Sequence, residues 1–379
     1  MLPFTPRTFI KLGVAPLDVE VLSPLTRAFE VEPLVDAGAT AFYAGVLTAD
    51  WRRAFSTLVA GNQEPAVGAN FPSLEELKEA VERAHDRKAP VTLTLNLDYY
   101  TDRQREHLGK LMDSAADAGV DGFLIADVPT MVRARAEHPD VRLHVSTIAP
   151  AFNNAALEFY ADLGASRVVL PQQLTPEEIV ALARDTPVEL EVFVLNNRCV
   201  NVDGFCTFVD GMDEAVRPLT GRIGFGLLNS RWALQAARFV PRRALRHMRR
   251  LPGLRPAPCL LDYKVSPVTV GNLPLEGMAA ARQRMEGHFG GKTGVDCGAC
   301  VLRTLLRAGI TAVKIDGRPN DMARKLRDVR FITDMLKAAK DDTVPDNALY
   351  SRTRRTFNQG YSGECTDLTC YYRDFLPGQ

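Results

Sequence analysis

No cysteine precedes Cys199, more than halfway along this 379-residue chain, and all seven lie from that point on. Thiols that only fill core space would be scattered, so this segregation points to a metal or catalytic role. Net charge is absent too. The chain carries 46 basic and 46 acidic residues, which removes any global electrostatic case for a nucleic-acid or membrane partner. No stretch approaches the roughly 18 apolar residues of a membrane span. The opening MLPFTPRTFIKLGV lacks the apolar run of a signal peptide, so a soluble cytoplasmic protein is expected. Histidines number six and lie scattered, and neither an HExxH zinc helix nor a GxSxG elbow occurs. A peptidase would need one of these, or another activated nucleophile. No glycine-rich phosphate loop follows the first expected strand, which weakens an open doubly wound sheet.

One unit is present in several copies: an amphipathic helix, a small-residue turn, then a short apolar strand. It reads VDAGATAFYAG at 35–45, ADAGVDGFLIAD at 116–127, ADLGASRVVLP at 161–171 and RAGITAVKIDG at 307–317. Gly38, Gly119, Gly164 and Gly309 fall where a helix end calls for a left-handed residue. Further strands are expected at Phe9–Val14, Val91–Leu97, Arg142–Thr147 and Val188–Leu195. Ser73, Thr101 and Thr175 open helices as caps, the last followed by Pro176 and two glutamates. Eight βα units predict an α/β fold, a TIM-like (β/α)8 barrel, spanning 1–340. A cysteine-bearing insertion at 197–300 interrupts it before the last unit, and 341–379 reads as a polar tail.

The strands carry more polar residues on one face than packing alone rewards. Thr92, Thr94, Asn96 and Asp98 share a face, as do Arg142, His144 and Ser146, and Lys314, Asp316 and Arg318. Burying unpaired charge costs several kcal/mol, so a polar cavity inside the barrel is expected. Chemistry in this fold sits at the C-terminal ends of the strands. Asn96, Asp127, His144, Lys314 and Asp316 are therefore the candidate catalytic residues. Arg198 and Arg318 are candidates for binding an anionic substrate group.

Cys199, Cys206, Cys259, Cys297 and Cys300 are the metal candidates, and four thiolates bind either zinc or an iron–sulfur cluster. Between Arg238 and Arg255 runs a basic segment, with Arg242, Arg243, Arg246, Arg249 and Arg250 at helix-like spacing. It suits a solvated helix face, a clamp for a small anion, or an RNA contact; the absence of interleaved aromatics favours the small anion.

The chain resembles the collagenase-like peptidase family U32 over roughly residues 10–340. The resemblance is carried by DAGATAFYAG, by LHVSTIAPAFNNAALEFYADLGASRVVLP, by ELEVFV leading to two cysteines with six residues between them, and by LLRAGITAVKIDGR. Its last-strand run of Lys, Ile, Glu, Gly, Arg becomes Lys314, Ile315, Asp316, Gly317, Arg318 here. The resemblance implies a TIM-like barrel and a 4Fe–4S cluster on Cys199, Cys206, Cys259 and Cys297, with Cys300 as the alternative fourth ligand. It further implies oxygen-independent hydroxylation or related redox chemistry. The expected substrate is a small molecule, such as a carboxylate of the prephenate type. A tRNA or rRNA base is the alternative. A peptidase, or a non-catalytic cluster-bearing subunit partnered by a second family member, are further alternatives. Asn196–Arg198 depart from the small residues the family places before its first cysteine.

Overall fold

The computed structural model describes residues 19–55, 61–62, 64, 68–196, 199, 202–205, 295–361, 365–366 and 369–372. Eight strands form a closed barrel: β1 (Glu20–Leu25), β2 (Ala41–Ala44), β3 (Val91–Leu95), β4 (Gly122–Ile125), β5 (Arg142–Val145), β6 (Arg167–Val169), β7 (Glu189–Leu195) and β8 (Ala312–Ile315). Each pairs in parallel with the next, and β8 closes on β1 through Glu20↔Ala312, Val21↔Val313 and Leu22↔Lys314. The predicted barrel is the observed one. Its first strand is Glu20–Leu25, while the expected strand at Phe9–Val14 lies outside the described residues.

Helices alternate with the strands: α1 (Val31–Ala37), α2 (Ala49–Ala54), α3 (Leu74–Asp86), α4 (Asp102–Asp117), α5 (Val128–Glu137), α6 (Asn154–Asp162), α7 (Pro176–Ala183), α8 (Leu302–Arg307) and α9 (Met322–Lys340). Their boundaries follow side-chain chemistry. Thr101 and Thr175 each close a capping box, with Gln104 and Glu178, and Ser73 accepts from the Glu76 amide. The four repeat glycines are all left-handed, at φ 112, 85, 87 and 86°. Leu25, Phe42, Leu93, Phe123, Val145 and Val192 point outward from the strands into one core shared with the helices. Leu22, Ala41, Tyr43 and Ala312 form a small separate apolar cluster, since β1, β2 and β8 turn these toward the barrel axis. None of the described helices is long and apolar enough to cross a membrane.

The segment after 341, expected as a polar tail, holds a further helix, α10 (Asp346–Gly360). Leu349, Thr353 and Phe357 on one face of α10 are buried, and Phe357 stacks on Tyr361 at 4.9 Å. Arg303, buried, holds the α9–α10 junction. Its guanidinium donates to the carbonyls of Ala338, Ala339, Asp341 and Val344 and to the Asp346 carboxylate. That satisfies the acceptors a helix leaves exposed at its C-terminus and places a cation at the negative end of its dipole.

Candidate functional site

Charged residues fill the floor of the barrel, at the N-terminal ends of the strands. Arg167 opens β6 and is 3% exposed. It donates to Glu20 at 2.7 Å and to Glu189 at 2.6 and 2.9 Å, and lies 3.6 Å from Glu191. Arg142 meets Glu189 at 2.7 Å. Burial alone would raise the Glu189 carboxyl; Arg167 and Arg142 outweigh it and hold the group below its ordinary value. A cavity of about 150 Å³ lies here, bounded by Glu20, Thr92, Arg142, His144 and Arg167. His144 is buried and its Nε2 has no hydrogen-bond partner. Burial, with Arg167, Arg142 and Lys314 nearby, drives its pKa well below the usual value, so the ring is neutral.

One layer higher, Lys314 is buried and donates to Glu191 at 2.9 Å. The ammonium also faces two rings, 4.5 Å from the centre of Tyr43 and 5.4 Å from that of Phe193. The Tyr43 hydroxyl lies 3.0 Å from the Ile315 carbonyl and 3.2 Å from Asp316 Oδ1. Burial first, then the Asp316 charge, raises the Tyr43 pKa well above normal. Glu191, Lys314, Tyr43 and Asp316 thus form one connected polar chain from the middle of the barrel to its mouth.

Asn96 and Ser146 hydrogen-bond across the mouth at 3.3 Å, and Asn96 Oδ1 has no partner. Arg318 is buried and fully engaged: it donates to Thr94 Oγ1, the Asn62 carbonyl and Asn70 Oδ1. Gly45 makes that cluster fit, because a Cβ there would overlap Arg318, Asn70 and Asn62. Asp127 is the N-cap of α5. Its Oδ2 accepts from the Thr130 amide and hydroxyl, and its Oδ1 from Arg105. Both oxygens of Asp127 are therefore engaged, Oδ2 at the start of α5 and Oδ1 with Arg105 of α4, whereas Lys314 and Asp316 share one site and Asn96 lies at the mouth. Arg198, Cys206, Cys259 and the basic segment 238–255 lie outside the described residues.

Three functional candidates escaped the sequence: Arg167, Glu191 and Tyr43. Arg167 opens a strand of only three residues, too short for alternation to register. Glu189 and Glu191 did carry a signal, two acids two residues apart on one face of an otherwise apolar strand. Their partners could be assigned only once β5, β6 and β8 were placed beside them.

Two segments beyond β7 complete the mouth. Residues 202–205 dock through Asp203, which accepts from Thr147 and from the Gln172 amide, each at 2.8 Å. Cys199 is exposed there, its amide donating to Gln172 Oε1. The second segment begins at Val295. The Cys297 amide donates to the Thr369 carbonyl at 2.8 Å and its carbonyl accepts from the Tyr371 amide at 3.1 Å, so the chain end pairs with it as a strand would. On the other side the Gly298 amide donates to Val194. Cys297, Cys300, Cys365 and Cys370 thereby come to line one hollow against α10, with Phe357 in its wall and the exposed Arg354 at its side.

The family profile described as peptidase family U32 matches residues 28–219, just over half of the chain. The chain belongs to peptidase family U32. Among curated relatives, the tRNA hydroxylation protein P2 of Bacillus subtilis is 31% identical over 181 residues, 48% of this chain and 53% of that protein. The tRNA hydroxylation protein P1 of the same organism is 28% identical over 154 residues, 40% of this chain and 36% of its own. The 23S rRNA 5-hydroxycytidine C2501 synthase of Escherichia coli is 26% identical over 191 residues, covering 50% of this chain and 26% of that enzyme. The chain spans at most about half the length of these relatives.

Of the four cluster ligands expected from the U32 resemblance, Cys199 and Cys297 are described, one exposed at the mouth and one buried. The hollow is chemically a thiol site. It offers four sulfurs in a mostly buried setting, and the Ala299 amide donates to Cys297 Sγ at 3.5 Å. None of the five described cysteines is disulfide-bonded. Burial raises the Cys297 thiol pKa, and a hydrogen bond with Cys370 followed by burial raises that of Cys300.

Proposed function

We propose that this U32 protein hydroxylates a base of tRNA or rRNA with the help of a 4Fe–4S cluster, taking the hydroxyl oxygen from an organic hydroxylated donor that is reduced as the base is oxidised. The observation that carries the RNA half is where the exposed rings stand. Tyr99, in the loop after β3, is 44% exposed, and Phe205, after β7, is 64% exposed. Both loops lie at the mouth, where an unstacked base would need flat apolar partners. The names of the relatives point the same way. The small-molecule substrate expected from composition gains nothing from either source.

An RNA base has to leave its stack to reach a site inside a barrel. Tyr99 and Phe205 would receive it at the rim, and Asn96, with an unused carbonyl oxygen, and Ser146 would read its polar edge. Lys314, fixed by Glu191 and the two rings, supplies a buried positive charge. Asp316 with Tyr43 offers a proton acceptor and donor side by side. The cluster supplies electron-transfer chemistry when bound. Arg242, Arg243, Arg246, Arg249 and Arg250 are assigned to the RNA phosphates. A second family member as partner is in keeping with the two B. subtilis proteins P1 and P2, and co-purification under anaerobic conditions tests it.

The decisive experiment is nucleoside mass spectrometry on tRNA and rRNA from cells with and without the gene. A hydroxylated nucleoside should vanish on deletion and return with the wild-type chain. Unchanged RNA nucleosides, with a hydroxylated small molecule lost instead, would restore the small-molecule reading.

A further inference from the structure

Just past β7 stands a residue whose every polar group is engaged, with partners far along the chain. Asn196 is 1% exposed and lies in the left-handed region at φ 76°. Its amide donates to the Asp296 carbonyl at 2.8 Å, and its carbonyl accepts from the Tyr371 hydroxyl at 3.0 Å. Its Nδ2 donates to the Asp316 carbonyl at 2.6 Å and to Asp328 Oδ2 at 2.8 Å, and its Oδ1 accepts from Arg324 at 2.9 Å. Asp316 is thereby held through both of its peptide groups, because its amide donates to the Leu195 carbonyl at 3.1 Å. Asp328 of α9 is buried, and its other oxygen accepts from the Tyr361 hydroxyl at 2.8 Å. Two tyrosines that follow α10 therefore converge on Asn196, Tyr371 directly and Tyr361 through Asp328.

We infer that Asn196 is a positioning residue: it fixes the mouth end of β8, and with it the Asp316 carboxylate beside Tyr43, and it carries the hold of the C-terminal segment to that point. Side-chain chemistry singles out asparagine here. A left-handed backbone favours glycine, asparagine and aspartate. Glycine would keep the backbone but leave the Asp316 carbonyl, the Asp328 carboxylate and the Arg324 guanidinium each short of a partner. Aspartate would set a second carboxylate against Asp328 and bring no amide donor. Asparagine alone of the three both donates twice and accepts. The brace is needed because Gly317, at φ 118°, follows Asp316 at once and leaves the strand end free to turn. Asp316 Oδ1 lies 3.2 Å from the Tyr43 hydroxyl, a contact that a small rotation of the peptide would break. The effect on catalysis rests on the role given to Asp316 in the proposed function; the clamp rests on these hydrogen bonds alone.

Two measurements on the full-length protein test it. The first is amide hydrogen exchange, read by peptide mass spectrometry, on Asn196→Gly and on the milder Tyr371→Phe, which removes a single hydroxyl. Peptides covering 312–318 should exchange at least about tenfold faster in Asn196→Gly and a few-fold faster in Tyr371→Phe, while those covering β3 to β5 keep their wild-type rates. The second is the rate at which the hydroxylated nucleoside reappears in RNA when each variant is expressed, at equal soluble level, in cells lacking the gene. Asn196→Gly should be about 10- to 100-fold slower than the wild type. Asp316→Asn should be slow as well, and the double variant no slower than Asp316→Asn alone, because a residue that acts through Asp316 has nothing further to lose. Losses that multiply in the double variant, or Asn196→Gly at the wild-type rate, would overturn the inference. So would exchange that quickens equally in every strand, or that is unchanged at 312–318. Asp316→Asn at the wild-type rate would sink the role given to Asp316 and the inference with it. RNA left unmodified by the wild type would sink the RNA reading, and the exchange rates would then decide the clamp.

Discussion

The barrel floor and the cysteine hollow are both mostly buried, yet they are built on opposite plans. On the floor and in the layer above it, Arg167, Arg142 and Lys314 answer Glu20, Glu189 and Glu191, so positive and negative charge balance among residues of the strands themselves. The hollow collects four donors of one kind, with a single exposed guanidinium, Arg354, among its lining residues. A charged interior that pairs with itself is complete when the chain has folded. A pocket of like donors is organised for something positive from outside. The same contrast separates stability from chemistry in this molecule, because the floor lies at the end of a TIM barrel that serves folding.

The sharpest break in that comparison is Arg167→Leu. It leaves Glu20, Glu189 and Glu191 facing one another without their shared partner, and the loss of unfolding free energy in urea should be about 3–5 kcal/mol. Iron bound per folded chain should not change. A loss below about 1 kcal/mol would mean that the floor pairs are worth no more than surface ones. Next comes Lys314→Ala, one layer up. RNA hydroxylation should disappear while iron content stays at the wild-type level, because the ammonium touches Glu191, Tyr43 and Phe193 and no cysteine. Loss of iron in this variant would join the two regions that the comparison keeps apart. The smallest effect is in acid. His144 is held neutral in the folded state, with a pKa below its unfolded value, so below about pH 6.5 the unfolded chain binds the extra proton and stability declines. His144→Gln should flatten the urea midpoint against pH over that range. An unaltered slope would show that the ring gains its proton without cost.

Much of this was legible in the sequence because the signals are local. Helix caps at Ser73, Thr101 and Thr175, glycines at the turn of each repeat, and alternation in VTLTLNLD each depend on residues a few positions apart. From them the barrel, its inward polar face and the common face of Lys314 and Asp316 could be read. The first strand could not. EVLSPL contains Pro24, a residue that argues against a strand, and the better-alternating FIKLGV drew the assignment instead. In the closed barrel, Pro24 sits near the end of β1 and pairs in register with Tyr43. Asp127 had the right position, a strand end, but Thr130 three residues later marks it equally well as a helix cap. The hollow was out of reach for a different reason. Cys365 and Cys370 meet Cys297 and Cys300 only because α9 and α10 fold back between them, a tertiary event that no spacing announces.

The return of the chain to Cys297 also sets an order of events. The first two thiols leave the ribosome before α9 and α10 exist, and the other two follow both helices. Until the second pair arrives, the hollow against α10 does not exist. Contacts between segments this far apart form late, after the intervening helices have packed. The hollow is therefore a late feature of folding. In refolding, the circular dichroism of the helices should recover before Cys297 and Cys370 become protected from alkylation.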